Sequence, residues 1–492
     1  MIERSLAQIA AFTGGELLPA DAAPAPGAQT ASAVVTDSRR VGPGALFVAL
    51  AGERTDGHAH VGTAAAAGAA AALVSDASTA RASLSAAGAA LPLIVVPDTV
   101  AALGALAREH LADLRRRAEE GGGSLTVVAV TGSVGKTTTK DLTRQLLASQ
   151  ASTVAPIASF NNEIGLPLTV LETSGDTRYL VLEMGASGPG HIDYLTEIAP
   201  LDAAAVLMVG HAHMEGFGSV DGVARAKSEI VRGLLPTGTA VLNLDDPRTA
   251  AMAELAPQVL TFSAAGAPDA AIRVGAVELD ASAHAVFDLF LPGLDEPRRL
   301  RLAVPGVHNV ANALAAAGLA LAAGVAPEHV ADQLSAARLE SPHRMDVTTL
   351  LGRDLLLIDD SYNANIDSMT AALAALKSLA GERRRVAIIS EMLELGESSV
   401  ADHTRTGELA AECGVGLLMT VGAGAAPAAA AARAAGVSTL ELEDADAALA
   451  VLDSPDGPLH DGDAVLVKGS NGSGAWRLAD HLRDSLKEKH AQ

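Results

Sequence analysis

Leu125-Thr-Val-Val-Ala-Val130 runs without interruption into Thr131-Gly-Ser-Val-Gly-Lys-Thr-Thr138. The first six residues are apolar and largely β-branched, the composition of a buried strand. Behind them stand two glycines and then Lys136, Thr137 and Thr138, which open a helix. A strand that feeds a helix through glycines is the setting of a phosphate loop. Glycines let backbone N–H groups turn inward around an anion, and the helix N-terminus adds partial positive charge. Gly132, Ser133, Val134, Gly135, Lys136, Thr137 and Thr138 would then cradle a triphosphate. Lys136 would reach the β and γ phosphates, and the Thr137 hydroxyl would bind Mg²⁺. The strict eight-residue pattern needs glycine where Val130 stands, so the glycine spacing is shorter here. An ordinary glycine-rich strand-to-helix turn is the alternative.

Outward from this loop the alternation continues. Apolar runs at 180–184, 204–209 and 240–244 are separated by helical spacers. A parallel sheet covered on both faces is expected, with ligands gathering at the carboxyl ends of its strands. Residues 259–303 read as more antiparallel, and Pro305-Gly306 leads into an Ala-rich helix. Before the loop, runs at 45–50, 71–74 and 93–96 lie between Ala-rich helical stretches, which suggests a small α/β unit. A charged helix over 106–120 and the linker Gly121-Gly-Gly123 close it. After Ser341-Pro342, runs at 355–358, 386–389, 417–421 and 464–467 alternate with helices, as in a second open, Rossmann-like sheet. The fold class is therefore α/β in three domains, 1–121, 124–340 and 341–492. That division suits a chain of 492 residues at about 150 residues per domain. The polar tail after Lys487 is expected to fray.

Composition limits the function. Hydrophobic residues make up 49% of the chain and aromatics 2%, so the apolar mass is Ala, Val and Leu. Small side chains suit helices packed closely on parallel strands. A formal net charge of −23 repels a phosphate backbone and argues against a nucleic-acid partner. Cys413 is the only cysteine, so no internal disulfide forms. The opening MIERSLAQIAAF carries Glu3 and no unbroken apolar run. Both features point to the reducing cytoplasm and away from a signal peptide. Residues 64–74 are too short to span a membrane, and 310–325 contain Asn312; both read as buried small-residue helices, with no membrane insertion.

Three further residues attract notice. Glu183 ends the apolar run 180–183, where a carboxylate can bind Mg²⁺ opposite Thr137 or can cap the next helix. His213, in His211-Ala-His-Met-Glu-Gly216, also follows an apolar strand. The rest of a zinc site is missing, so ligand and hydrogen-bonded structural histidine stay open. Lys227, in Ala224-Arg-Ala-Lys-Ser-Glu229, lies on a helix and reads as an ordinary solvated lysine.

Taken in order, the motifs resemble the Mur ligase family, along nearly the whole chain. They include Asp37-Ser-Arg39, Asp56-Gly-His58, residues 131–138, Asn161-Asn-Glu-Ile-Gly-Leu-Pro167 and Glu183-Met-Gly185. Ala212-His213 through Lys227, His308-Asn-x-x-Asn312, His343-Arg344, Asp359-Asp-Ser-Tyr-Asn-Ala-Asn365 and Lys468-Gly-Ser470 follow. The likeness is to the type that adds D-alanyl-D-alanine to UDP-N-acetylmuramoyl-tripeptide. It implies an ATP-dependent ligase that activates a carboxylate as an acyl phosphate and joins it to an amine. The first domain would hold the UDP end near Ser38 and Arg39, the central domain ATP, and the third the dipeptide. Thr137, Glu183, His213 and Lys227 would hold magnesium, and Lys227 matches a carbamylated lysine. Lys136, Glu183, His213 and Lys227 would carry the catalysis. A lysine is cationic at neutral pH, whereas reaction of its neutral amine with CO₂ gives an anion able to bind a second Mg²⁺. Asn309 and Asn312 would contact the nucleotide, and Arg344 and Asp360 its phosphate and ribose. Asn161, Asn162, Tyr362, Asn363 and Asn365 would line the substrate side. A monomer is expected.

The chain departs from the family pattern at four places. Ile366 stands where proline is usual, Ser187 where arginine is common, Ser390-Glu391 in place of Gly-Asp, and Asn471 in place of arginine. No Asp-Asn-Pro-Arg motif marks the third domain, and Asp245-Asp-Pro-Arg248 follows a central strand and reads as a structural loop.

Overall fold

The structure is a computed structural model that describes all residues except 21–28, 53–54, 157–158, 211–216, 281, 351–353, 455 and 488–492. The polar tail beyond Lys487 therefore lies outside the described residues. The chain is mixed α/β, and each of its three larger sheets is drawn from one contiguous stretch.

The central sheet is built around Thr126–Thr131. Tyr179–Glu183 pairs with it in parallel on one side and Leu201–Val206 on the other. Thr153–Val154 lies outside Tyr179–Glu183, and Leu234–Asn243 and Gln258–Ser263 extend the opposite side. The strand order thus reverses direction beside the loop strand, which opens a crevice at its carboxyl end. Successive residues of each strand point to opposite faces. Val127, Ala129, Leu180, Leu182, Ala204 and Val206 enter one core. Val128, Val130, Val181, Ala203 and Ala205 enter the other. A strand buried on both faces shows no polar alternation, which is why 125–130 reads as an unbroken apolar run.

The Ala-rich segment after Pro305 forms the helix Asn309–Ala322 and packs against the helix Lys136–Ala148. The small side chains matter: a Cβ on Gly318 would come within 2.5 Å of Val241 Cγ1. Residues 259–303 are antiparallel only in part. Gln258–Ser263 and Ile272–Val274 continue the parallel sheet, and antiparallel pairing begins at His284–Phe290, which meets Ile272–Val274 on one side and Arg298–Pro305 on the other. Leu234–Asn243 starts well before residue 240 because it passes through a register shift at Pro236 to Gly238, punctuation that normally ends a strand. Asp245 and Asp246 are structural. Asp246 caps a short helix and accepts from Val209 N at 2.7 Å, while Asp245 holds Ser263 and the turn after it.

The first sheet runs Glu16–Leu18, Leu93–Val95, Ala71–Val74, Ala45–Val48, Ala33–Val35. The stretch 64–74 is not one helix: the helix Val61–Ala66 ends and a buried strand begins at Ala71. The charged helix begins at Thr99, capped by Asp98, rather than at 106. Its Leu103, Leu106 and Leu111 share one core with Leu46, Leu73 and Ile94 of the first sheet and with Leu166, Leu182 and Ile198 of the central unit.

His110 sits on that helix inside the shared core. It is fully buried, with its Nε2 3.1 Å from Thr173 O. Burial lowers its pKa from 6.5 to about 4. The unfolded chain therefore binds more protons between those values, and stability is lost as pH falls from 6.5 towards 4. A shift of that size corresponds to about 3 kcal/mol. The melting temperature should fall over this window in the wild type, and His110→Gln should flatten that dependence; an unchanged slope would exclude His110 as its source.

The third sheet runs Asp346–Leu350, Leu355–Asp360, Ala464–Lys468, Arg385–Ser390, Leu417–Val421, Ser438–Leu442, antiparallel only at its first pair. Its two faces form cores of their own. The edge strands Asp346–Leu350 and Ser438–Leu442 escaped the sequence reading because they are largely half-buried or exposed. No described helix is long and apolar enough to cross a membrane.

Candidate active site

A cavity of about 1050 Å³ opens at the carboxyl end of Thr126–Thr131 and is lined mainly from the central and the third segments, with Asp98, Val100 and Ala101 from the first. Its floor is the loop 132–138. Gly135 has φ +84, and a Cβ there would meet Asn312 Oδ1 at 2.2 Å, so glycine is required on both counts. Ser133 fixes the loop to the neighbouring strand: its N–H donates to Met208 O at 3.0 Å and its hydroxyl accepts from Gly210 N at 2.8 Å. Among the described residues no hydrogen bond reaches the N–H groups of residues 134–138. They form the donor-rich end of the helix Lys136–Ala148, suited to an anion. Lys136 folds back so that Nζ donates to Gly132 O at 2.8 Å. Burial lowers its pKa, the field of Glu183 works against that, and Arg344 adds to it.

Thr137 and Glu183 meet as their positions suggest. The Thr137 hydroxyl donates to Glu183 Oε2 at 2.9 Å, and Asn161 Nδ2 donates to Glu183 Oε1 at 2.7 Å. Both are buried at the strand end. Two converging hard oxygens suit Mg²⁺. His213 lies outside the described residues. Lys227 departs from its reading as a solvated lysine. It sits on the helix Val220–Arg232 with 5% of its surface exposed. Burial, reinforced by nearby Lys136, pushes its pKa well below the ordinary value. The helix face it occupies is amphipathic, but one lysine on a helix gave no sign of which face it takes.

Asn309 and Asn312, the asparagines expected at the nucleotide, are linked. Asn312 Nδ2 donates to Asn309 Oδ1 at 2.8 Å, and Asn309 Nδ2 donates to Pro305 O at 2.7 Å. From the third segment Arg344 reaches over the loop. Its guanidinium lies 4.2 Å from the Tyr362 ring centre and donates to Ser159 Oγ at 3.1 Å. Ser159 Oγ is in turn 2.9 Å from Thr137 Oγ1. Ser159 thus bridges two candidate residues, and no spacing in the sequence marked it. Asp360 is not free: Lys468 Nζ donates to its Oδ2 at 2.5 Å and Met345 N to its Oδ1 at 3.2 Å.

The residues expected at the substrate, Asn161, Asn162, Tyr362, Asn363 and Asn365, all line the cavity. Two of them also have local work. Asn162 Oδ1 accepts from Gly165 N at 2.9 Å, and Asn365 caps the helix Ile366–Leu379 through Ser368 N at 2.8 Å. Ile366 occupies the first helical position after that cap, a place where proline is favoured because its N–H is not needed. Ser187 Oγ lies 3.1 Å from His191 Nδ1, and Glu391 accepts from Gly424 N at 2.6 Å. Ser38 and Arg39 lie outside the cavity. Arg39 is exposed and paired with Asp37 at 2.8 Å.

Residues 30–111 match the model of the Mur ligase family catalytic domain, 130–320 the Mur ligase middle domain, and 343–471 the Mur ligase glutamate ligase domain. The chain is 40% identical to UDP-N-acetylmuramoyl-tripeptide–D-alanyl-D-alanine ligase of Mycobacterium tuberculosis, with 98% of each chain covered. In structure it resembles MurF from Acinetobacter baumannii, with a TM-score of 0.81, 31% identity and coverage of 98% and 99%. It also resembles the MurF ligase from Thermotoga maritima in complex with ADP, with a TM-score of 0.74, 27% identity and coverage of 93% and 98%.

Proposed function

Because the chain belongs to the Mur ligase family, we propose that it joins D-alanyl-D-alanine to UDP-N-acetylmuramoyl-tripeptide, driven by ATP, in peptidoglycan precursor synthesis. Full-length identity to a ligase of that name carries the reading. The meeting of Thr137, Glu183 and Arg344 around the loop supports it. Residues 1–121 take the UDP end, with Ser38 and Arg39; 124–340 hold ATP; 341–492 bring the dipeptide. The ADP of the Thermotoga relative supports a nucleotide at the loop. The enzyme works in the cytoplasm as a monomer.

The N–H groups of residues 134–138 and the Lys136 ammonium hold the phosphates and stabilise charge as the γ-phosphoryl group moves. Asn309, Asn312 and Asp360 orient the nucleoside end. Thr137 and Glu183, with His213 and the carbamate of Lys227, would hold magnesium, which neutralises phosphoryl oxygens when bound. Burial lowers the Lys227 pKa well below its ordinary value and so favours the neutral amine, the form that reacts with CO₂. The substrate carboxylate attacks the γ-phosphorus, the bond to ADP breaks, and an acyl phosphate forms. The dipeptide amine, held near Tyr362, Asn363 and Asn365, then attacks the acyl carbon; phosphate leaves and the amine loses a proton. Arg344, reaching in from the third segment, ties closure over the nucleotide to the exclusion of water.

Phosphate release is expected only with ATP, the UDP-tripeptide and D-alanyl-D-alanine together. Release indifferent to the dipeptide, or equal with an unrelated amine, rejects this substrate assignment.

A further inference from the structure

Lys140 and Asp141 form an ion pair on the helix behind the phosphate loop, each with 1% of its surface exposed. A buried ion pair is weak evidence for stability, since apolar side chains of similar size often serve as well. What such a pair supplies is direction, and the contacts of Lys140 are directional. Its Nζ donates to Pro156 O at 2.8 Å and lies 3.2 Å from Ser341 Oγ. Asp141 completes the second tether: it accepts from Ser341 N at 2.9 Å and Ser341 Oγ at 3.1 Å.

The two tethered residues stand in the same relation to the active site. Pro156 precedes Ser159 by three residues, and Ser341 precedes Arg344 by three. Ser159 and Arg344 are joined by a hydrogen bond that, like those of Ser341, crosses from the central to the third segment. Thr137, bonded to Ser159, lies three residues before Lys140 on the same helix. One ammonium thus contacts the chain three residues before Ser159 and three before Arg344, from the helix that also carries Thr137.

The anchoring has something to resist. His343 and Met345, on either side of Arg344, have φ values of +59 and +48, costly for residues other than glycine. On the far side His343 Nδ1 is held by Asp359 at 2.9 Å and Met345 N by Asp360. On the near side the Lys140 and Asp141 pair holds Glu340 and Ser341.

We propose that Lys140 is a positioning residue. Tethering Pro156 and Ser341, it fixes Ser159 and Arg344 against the phosphate loop in the arrangement that transfers the phosphoryl group. The inference rests on the proposed ligase reading, in which Arg344 touches phosphate. A small displacement of a charged donor is enough to cost catalysis without loss of the fold.

The experiment is a double-mutant cycle in the full-length enzyme, read as kcat for phosphate release, with circular dichroism and ADP affinity as controls. Arg344→Ala should lower kcat on the order of a hundredfold. Lys140→Met should lower it about tenfold in the wild type but less than twofold in the Arg344→Ala background, because it acts through that residue. Its ADP affinity should stay within about twofold, since the loop N–H groups and Lys136 remain. Full additivity of the two substitutions, or a kcat loss matched by an equal loss of ADP affinity, overturns the positioning role. Undiminished turnover in Arg344→Ala alone would instead overturn the reading on which it rests. If Lys140→Met does not fold, Ser341→Ala, which removes only the hydroxyl tether, takes its place. It should cost about threefold and show the same non-additivity; an additive effect rejects the inference.

Discussion

Lys136→Ala should lower the rate of phosphate release on the order of a thousandfold while leaving the fold intact. The side chain's one described hydrogen bond is to Gly132 O, and buried Glu183 acts on it through its field, so among the described residues no direct ion pair is broken. What disappears is the cation at the mouth of a donor-rich helix end, where charge develops on the γ-phosphoryl group. Lys136→Arg should not rescue it, because the fork of a guanidinium is broader than an ammonium and the loop packs closely against Leu207 and Asn312. Stopped turnover with a far-ultraviolet spectrum like that of the wild type is the expected pair of results. Turnover within about tenfold of normal would place the transferring phosphoryl group elsewhere.

Lys227→Ala should lose activity on the order of a hundredfold or more. The amine is buried and so is no solvated surface group, and burial together with nearby Lys136 disfavours its ammonium form. In CO₂-free buffer, where the lysine stays an amine, the variant should also change the pH dependence of stability. With the native pKa depressed below 10.5, the unfolded chain binds the extra proton across the window between the two values. Wild-type stability therefore rises with pH there. Removing the amine removes that contribution to the slope. Equilibrium denaturation at several pH values checks the second effect independently of turnover, and near-normal turnover would remove Lys227 from the metal site.

The parts of the site that were readable in advance share one property: their chemistry follows from local chain order. A strand, Gly132 and then Gly135-Lys-Thr-Thr138 pointed to a phosphate loop because the helix start and the backbone donors are consecutive. Glu183 was readable because a carboxylate at the end of an apolar run must sit at a strand end, and the register pairs it with Val130 beside the loop. Whether Lys227 was inside or outside was not readable, because a lone lysine reports nothing about the helix face it takes. Ser159 was invisible because its meaning lies in residues 22 positions before and 185 after it. The left-handed backbone at His343 and Met345, which turns Arg344 towards the loop, has no glycine to announce it. Asn363 and Asn365 were placed at the acceptor side through the family likeness alone. The structure adds that Asn365 also begins the helix after it, so its substitution would disturb local folding as well as any contact with substrate.

The helix Thr99–Glu120 has a consequence for how the molecule can be divided. Its apolar side is common property of the first sheet and the phosphate-loop unit, so a fragment starting at residue 124 would leave Leu166, Val170, Leu182 and Ile198 without their covering partners. Such a fragment would be prone to self-association. The third sheet carries two complete interiors of its own, and the chain enters it once, through residues 341–345. The natural place to cut this enzyme is therefore at Pro342, giving a two-thirds piece and a one-third piece whose recombination in solution would be intermolecular binding rather than folding.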